Sequence, residues 1–319
     1  MTDLSALAHA FDPRNAPADA LAVNAAILKR LEDWDSWAHP PAVIRQMRRE
    51  GRGAFPAPVL SPRATTMTIE GPHGPIGLRI IAAEKPRGVY VHIHGGGWVL
   101  GSVDQQDPWL ERFADHAGMA CVSIDYRLAP EHPYPMGPDD CEAAALWIAR
   151  EARGLFGTDR LVIGGESAGA HLSVVTLLRL RDRHGVMPFR AANLHAGCYD
   201  LALSPSVRRW GPEKLVLNTR DIEMFVRHFL VRGGDVRHPD ISPIHADLTG
   251  MPPALFTVGS RDPLVDDTLL MAPRWAAAGA RAEMEVYPAG CHVFIGFPGS
   301  NSDRCLDRIG TFMAEACAD

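Results

Sequence analysis

From about residue 65 the chain repeats one pattern: a short apolar run, a loop, then a helical stretch. The runs are ATTMTIEG, IGLRIIAAE, GVYVHIHGGG, MACVSIDYR, RLVIGGES, AANLHAGCYD, PALFTVGS and AEMEVYP. Several are apolar at successive rather than alternate positions, as expected of strands buried on both faces of a parallel sheet. Parallel neighbours need crossover connections, and DCEAAALWIAR after the fourth run and AHLSVVTLLRL after the fifth have the helical character to supply them. The pattern predicts an α/β architecture: a mostly parallel, eight-stranded sheet with helices on both faces.

Two segments break the rhythm. In residues 1–60, Leu21, Ala25, Leu28 and Leu31 recur at helical spacing, and a second short helix carries Val43, Ile44 and Met47 before Gly51 stops it. Its arginines, Arg45, Arg48, Arg49 and Arg52, read as a solvated face rather than a membrane-binding one. Between about 200 and 248 lies a stretch too long for a simple crossover. It holds its own amphipathic helix, with Ile222, Phe225 and Phe229 on one face, Asn218 or Thr219 as N-cap and Gly233-Gly234 as a stop. The expected organisation is an N-terminal helical cap segment over 1–60 and a catalytic domain over 61–319. The insertion at about 200–248 joins the N-terminal helices in a lid, docked through Leu21, Leu28, Val43 and Met47. A chain of 319 residues can bury its core as one such domain with additions.

Charge and composition remove several classes of function. A formal net charge of −6 argues against an electrostatic nucleic-acid binder. Only Lys29, Lys85 and Lys214 are lysines, and none lies near a motif in sequence, which disfavours serine–lysine dyads and Schiff bases. No stretch approaches the roughly 20 apolar residues of a membrane span. The opening residues lack the basic start and apolar run of a signal peptide. Six cysteines show neither C-x-x-C pairs nor metal-like spacing, and read as reduced thiols of a cytoplasmic protein.

The strongest local signal is Gly165-Glu166-Ser167-Ala168-Gly169, set between the apolar run LVIGG and the helical AHLSVVTLL. A strand that turns abruptly into a helix brings the positions two before and two after the serine together, and a Cβ at Gly165 or Gly169 would crowd that approach. A serine hydroxyl needs a base within hydrogen-bond reach and a third group to orient the base. Asp262 follows the run PALFTVGS and His292 follows AEMEVYP, both at carboxyl ends of successive strands, where such sheets place their sites. Asp262 before Pro263 also suits a helix start; Asp266 and Asp267, inside the following helix, are the weaker choices for the acid. Acyl transfer also needs donors for an oxyanion, and the tri-glycine of His94-Gly95-Gly96-Gly97-Trp98 follows the third strand, with Ala168 N–H as a further donor. Trp98 beside it is expected to contact substrate. His92 and His94 form an H-x-H pair without further ligands at suitable spacing, so neither metal nor cofactor is expected. Glu166, next to the serine, reads as a structural hydrogen-bond acceptor.

Together these segments resemble the hormone-sensitive-lipase-like group of bacterial esterases. HGGGWVLGSVDQQD is similar to that group's glycine loop, DYRLAPEHPYP to its loop after the fourth strand, GESAG to its elbow, DPLVDD to its acid segment and AGCHVF to its histidine segment, in order from about residue 88 to 294. The resemblance implies an α/β-hydrolase fold, oxyanion bonds from Gly96, Gly97 and Ala168, and buttressing of the glycine loop by His94 and the segment Asp125 to Glu131. It also implies a two-part cap and frequent homodimers. Glu166 departs from the usual Asp, Ala170-His171 from Gly-Asn, and Cys291 from a bulkier aliphatic. The expected activity is hydrolysis of small esters with short to medium acyl chains. An amidase or deacetylase with the same triad is the alternative, and a non-catalytic binding protein is disfavoured because Ser167, Asp262 and His292 are all present.

Overall fold

The computed structural model describes residues 4–318, so residues 1–3 of the expected cap segment and residue 319 of the main domain lie outside it. Among the described residues, each apolar run forms one strand of a single eight-stranded sheet: β1 (Thr65–Ile69), β2 (Ile76–Ala82), β3 (Gly88–Ile93), β4 (Met119–Asp125), β5 (Leu161–Glu166), β6 (Phe189–His195), β7 (Ala254–Arg261) and β8 (Ala282–Cys291). The order is β1-β2-β4-β3-β5-β6-β7-β8. β2 is antiparallel to both β1 and β4, and every other neighbouring pair is parallel.

The helices are α1 (Leu4–Phe11), α2 (Ala18–Leu31), α3 (Pro41–Arg49), α4 (Asp107–Ala117), α5 (Met136–Phe156), α6 (Ala168–His184), α7 (Pro205–Trp210), α8 (Thr219–Phe229), α9 (Val265–Ala277) and α10 (Ser300–Ala316). β3 shows why both faces need covering. All six of its residues are buried. Val89, Val91 and Ile93 pack into one apolar cluster with Ile148 of α5 and Leu172 of α6, while Tyr90 enters another with Phe113 of α4 and Ile309 of α10. Alternate side chains of a strand point to opposite faces, so a strand apolar at every position requires helices on both. α6 crosses the interior and is buried from Ala168 to Leu180, which explains why its sequence lacks an amphipathic stripe.

α8 starts as its sequence demands. Asn218 accepts from Asp221 N, and the Asp221 carboxylate accepts in return from Asn218 N; this reciprocal capping box fixes the helix start. Ile222, Phe225 and Phe229 form its buried face, as expected. The N-terminal helices also form, with the expected Leu31 and Ile44 buried but the rest of the expected face largely turned outward. Leu21 and Val43 are 49% and 44% exposed, and Ala25 is exposed as well. The buried residues are Asn24, Ile27 and Leu31 of α2 and Ile44 of α3. Asn24 donates to Ala289 O at 2.8 Å, so a polar residue begins the buried stripe. Among the described residues no helix is long and apolar enough to cross a membrane.

Candidate active site

The turn from β5 into α6 places Ser167 at backbone angles φ 55° and ψ −120°, a conformation rare for a residue with a side chain. Ser167 N donates to His195 O of the adjacent strand at 2.9 Å, which holds the turn. The flanking glycines are sterically required. A Cβ on Gly165 would lie 2.0 Å from Ile93 O, and one on Gly169 would lie 1.8 Å from the same oxygen. The crowding comes mainly from the neighbouring strand β3, and only secondarily from the approach of Gly165 to Gly169.

Three side chains from the ends of three strands meet here. Ser167 Oγ lies 2.9 Å from His292 Nε2. His292 Nδ1 lies 2.9 Å and 3.1 Å from the two carboxylate oxygens of Asp262. A carboxylate only accepts, so Nδ1 carries the proton and Nε2 presents its lone pair to the hydroxyl. Asp262 also accepts from Leu264 N at 2.8 Å. The two readings of this residue, helix-start turn and partner of the histidine, therefore coexist. Asp266 and Asp267 point elsewhere: Asp266 accepts from Ser206 N, and Asp267 from Tyr199 N and Asp200 N. Burial pushes the Asp267 carboxyl up to about 7.

The glycine loop stands beside this trio. Gly96 O accepts from Val99 N and Leu100 N, closing the loop into a tight turn. Gly96 and Gly97 have φ of 107° and 61°, the region that favours glycine. A Cβ on Gly97 would meet the Phe225 ring at 2.2 Å, so the loop is pressed against α8. Gly96, Gly97 and Ala168 line the same cavity as Ser167 and His292. Ala168 is the first residue of α6, where a backbone N–H has no partner within the helix.

Behind the loop, Glu166 Oε1 accepts from Gly95 N at 2.6 Å and Oε2 lies 3.0 Å from His92 Nε2. His92 is thus engaged between Glu166 and Ser123, whose Oγ lies 2.9 Å from Nδ1. His94 stacks on Tyr126 with ring centres 4.3 Å apart, and Tyr126 Oη donates to His94 O at 2.9 Å. Burial pushes the His94 imidazole down to about 3, so it stays neutral. Ala129 N donates to Trp98 O, and Arg45 bridges Val99 O to Glu131. Trp98 lines the cavity, but its indole donates to His171 Nδ1 at 3.1 Å and stacks on Phe229 at 4.7 Å. His171, pushed down to about 4 by burial, passes its other nitrogen to Ile241 O at 2.8 Å. Its place two residues after the elbow glycine is therefore a tie between the loop and the insertion. Cys291 is buried beside His292, and burial raises its thiol to about 12.

The cavity measures about 670 Å³. Ile27 and Leu31 of α2, Ile44 of α3, and Ile222 and Phe225 of α8 form much of its wall. One sequence expectation fails in part here, and one cavity residue escaped the sequence reading. Arg45 and Arg48 are not a solvated face: both donate to carbonyls just after the glycine loop, Val99 O and Leu100 O. Lys214, remote from every motif in sequence, lines the cavity, its Nζ held 2.7 Å from Trp34 O. Sequence spacing carried no signal for either, because the contacts join segments far apart in the chain.

The comparisons with known proteins agree with this architecture. The α/β-hydrolase fold family matches residues 90–296. The carboxylesterase NlhH of Mycobacterium tuberculosis is 37% identical over 216 residues, covering 66% of this chain and 67% of that protein. The esterase LipI of the same species is 34% identical over 250 residues, 74% of this chain and 76% of that protein. A hyperthermophilic esterase from the archaeon Pyrobaculum calidifontis superposes with a TM-score of 0.83 at 28% identity, covering 95% of this chain and 99% of that one. The chain belongs to the α/β-hydrolase fold family, among its carboxylic ester hydrolases.

Proposed function

We propose that the chain hydrolyses carboxylic esters of short to medium acyl length through an acyl-enzyme on Ser167. The observation that carries this reading is the continuous contact from Ser167 Oγ through His292 to Asp262. As Ser167 Oγ attacks the ester carbonyl carbon, its proton passes to His292 Nε2, and Asp262 stabilises the imidazolium through Nδ1. The carbonyl oxygen becomes an oxyanion facing the N–H groups of Gly96, Gly97 and Ala168. The intermediate collapses when His292 returns the proton to the leaving alcohol. Water then attacks the acyl-serine as His292 takes its proton, and return of that proton to Ser167 Oγ breaks the acyl–oxygen bond, freeing the acid and restoring the enzyme.

α2, α3 and α8 act as a cap that excludes water and shapes the acyl pocket, supported by the cavity wall they supply. The six cysteines are buried and unpaired, which fits the reducing cytoplasm. Ser167→Ala tests the reading: the variant should fold as wild type and lose turnover by roughly a millionfold. A fluorophosphonate should label Ser167 alone. Labelling elsewhere, or surviving activity, would refute it. A panel of acyl lengths with matched amides tells an esterase from an amidase, because an amide demands protonation of a far poorer leaving group.

A further inference from the structure

The cavity over Ser167 is positively charged, although the chain has a formal net charge of −6. Its wall carries three cationic side chains, Arg30, Arg48 and Lys214, against one carboxylate, Glu166. That carboxylate is already committed to Gly95 N–H and His92. Lys214 is partly answered by Asp221, 3.8 Å away, and Arg30 is exposed to solvent.

Arg48 differs from both. It is partly buried on α3, close to the buried Ile44. Its guanidinium donates one hydrogen bond, from Nη1 to Leu100 O at 3.1 Å, and no carboxylate of the described residues pairs with it. Burial without a counter-charge holds its pKa below the ordinary guanidinium value. An unpaired cation in an apolar wall costs free energy unless a ligand answers it. A guanidinium offers five N–H donors in a planar fork that matches a carboxylate in two places. The fork of Arg48 is left largely open on a cavity that also holds the nucleophile.

We propose that Arg48 anchors a carboxylate carried by the ester, so that the preferred substrates are anionic esters, such as half-esters of dicarboxylic acids. This rests on the reading of Ser167 as the ester-attacking nucleophile. An anion on the acyl side and one on the alcohol side are told apart by two substrate pairs. Mono-p-nitrophenyl adipate against p-nitrophenyl hexanoate places it on the acyl side. 4-Acetoxybenzoate against 4-acetoxybenzamide places it on the alcohol side.

In wild type, one anionic ester should exceed its neutral partner in kcat/KM by about tenfold or more, chiefly through KM, and added salt should erode that advantage. Arg48→Met should cut the ratio of anionic to neutral kcat/KM by roughly 10- to 100-fold, and Arg48→Lys should restore part of it. Two results would overturn the inference. One is a wild type that turns over neutral esters as well as both anionic ones, which also decides the matter if the variants do not fold. The other is an Arg48→Met variant that loses the same factor on every ester, which would make Arg48 only a prop for Leu100 O. Failure to turn over any ester would instead bring down the nucleophile reading, and this inference with it.

Discussion

Replacing Glu166 separates a scaffold from a reactant, because its carboxylate stands between the nucleophile and the glycine loop. Both of its oxygens are engaged, one with Gly95 N–H and one with His92 Nε2, and the residue is 4% exposed. Glu166→Ala strands two buried partners. Hydrogen bonds to a charged group contribute about 1.5–3 kcal/mol each, so the two together correspond to a loss of about 3–6 kcal/mol. The released loop should also misplace oxyanion donors, and losing one such donor lowers kcat by about 100- to 1000-fold. Glu166→Gln should behave differently. Its amide oxygen can keep Gly95 N–H, and its amide N–H can donate to His92 Nε2 once the imidazole proton moves to Nδ1, facing Ser123 Oγ at 2.9 Å. Every partner is then satisfied, so the variant should stay within about 1 kcal/mol of wild type in stability and within about tenfold in kcat. Denaturant midpoints and steady-state rates on a neutral ester provide the readings. A folded Glu166→Gln as inactive as Glu166→Ala would refute the scaffold role and give the charge a part in the chemistry. Wild-type stability in Glu166→Ala would refute the energetic reasoning.

Ile27→Phe adds volume to the cavity wall, so longer acyl chains should lose rate relative to acetate; an equal loss at every chain length would mean that α2 supports stability only. Burial pushes His94 and His195 down to about 3 and His171 down to about 4, below the ordinary value of 6.5. All three therefore contribute stability above about pH 6.5 that is lost as acid approaches those folded values, because the unfolded chain binds the protons first. Asp267, raised to about 7, acts in the opposite sense: its contribution is present below about pH 4 and lost as pH rises through about 7. Urea midpoints should thus fall from pH 6.5 toward 4, and more steeply in Asp267→Asn. An unchanged slope in that variant would contradict the assignment.

The sheet and the trio of site residues were legible because each depends on a local pattern. Short strand-like runs, several of them continuously apolar, marked all eight strands, and Asp262 and His292 follow two of them at fixed places. The N-terminal segment was legible as helices but only in part as faces. Periodicity chose Leu21, Ala25, Leu28 and Leu31; the fold buries Leu31 as expected, but with Asn24 and Ile27 rather than Leu21 and Ala25, because Ala289 O rewards an amide at the start of the stripe. A hydrophobicity pattern cannot register a polar side chain that is buried to satisfy a distant carbonyl. The same limit hid Arg45 and Arg48, whose partners lie beyond the third strand, and Lys214, which α8 and its approach carry to the cavity.

The contact between Gly97 and the Phe225 ring makes two distant positions a single unit of selection. Any side chain at 97 demands a smaller residue at 225, and a smaller residue at 225 gives the loop room to wander. The contact also runs in both directions. Linkage requires that if lifting α8 loosens the loop, then a reacting ester that grips the loop must hold α8 down by the same free energy. On the proposed function, the seating of α8 and the order of the glycine loop then form one equilibrium, read through one aromatic ring.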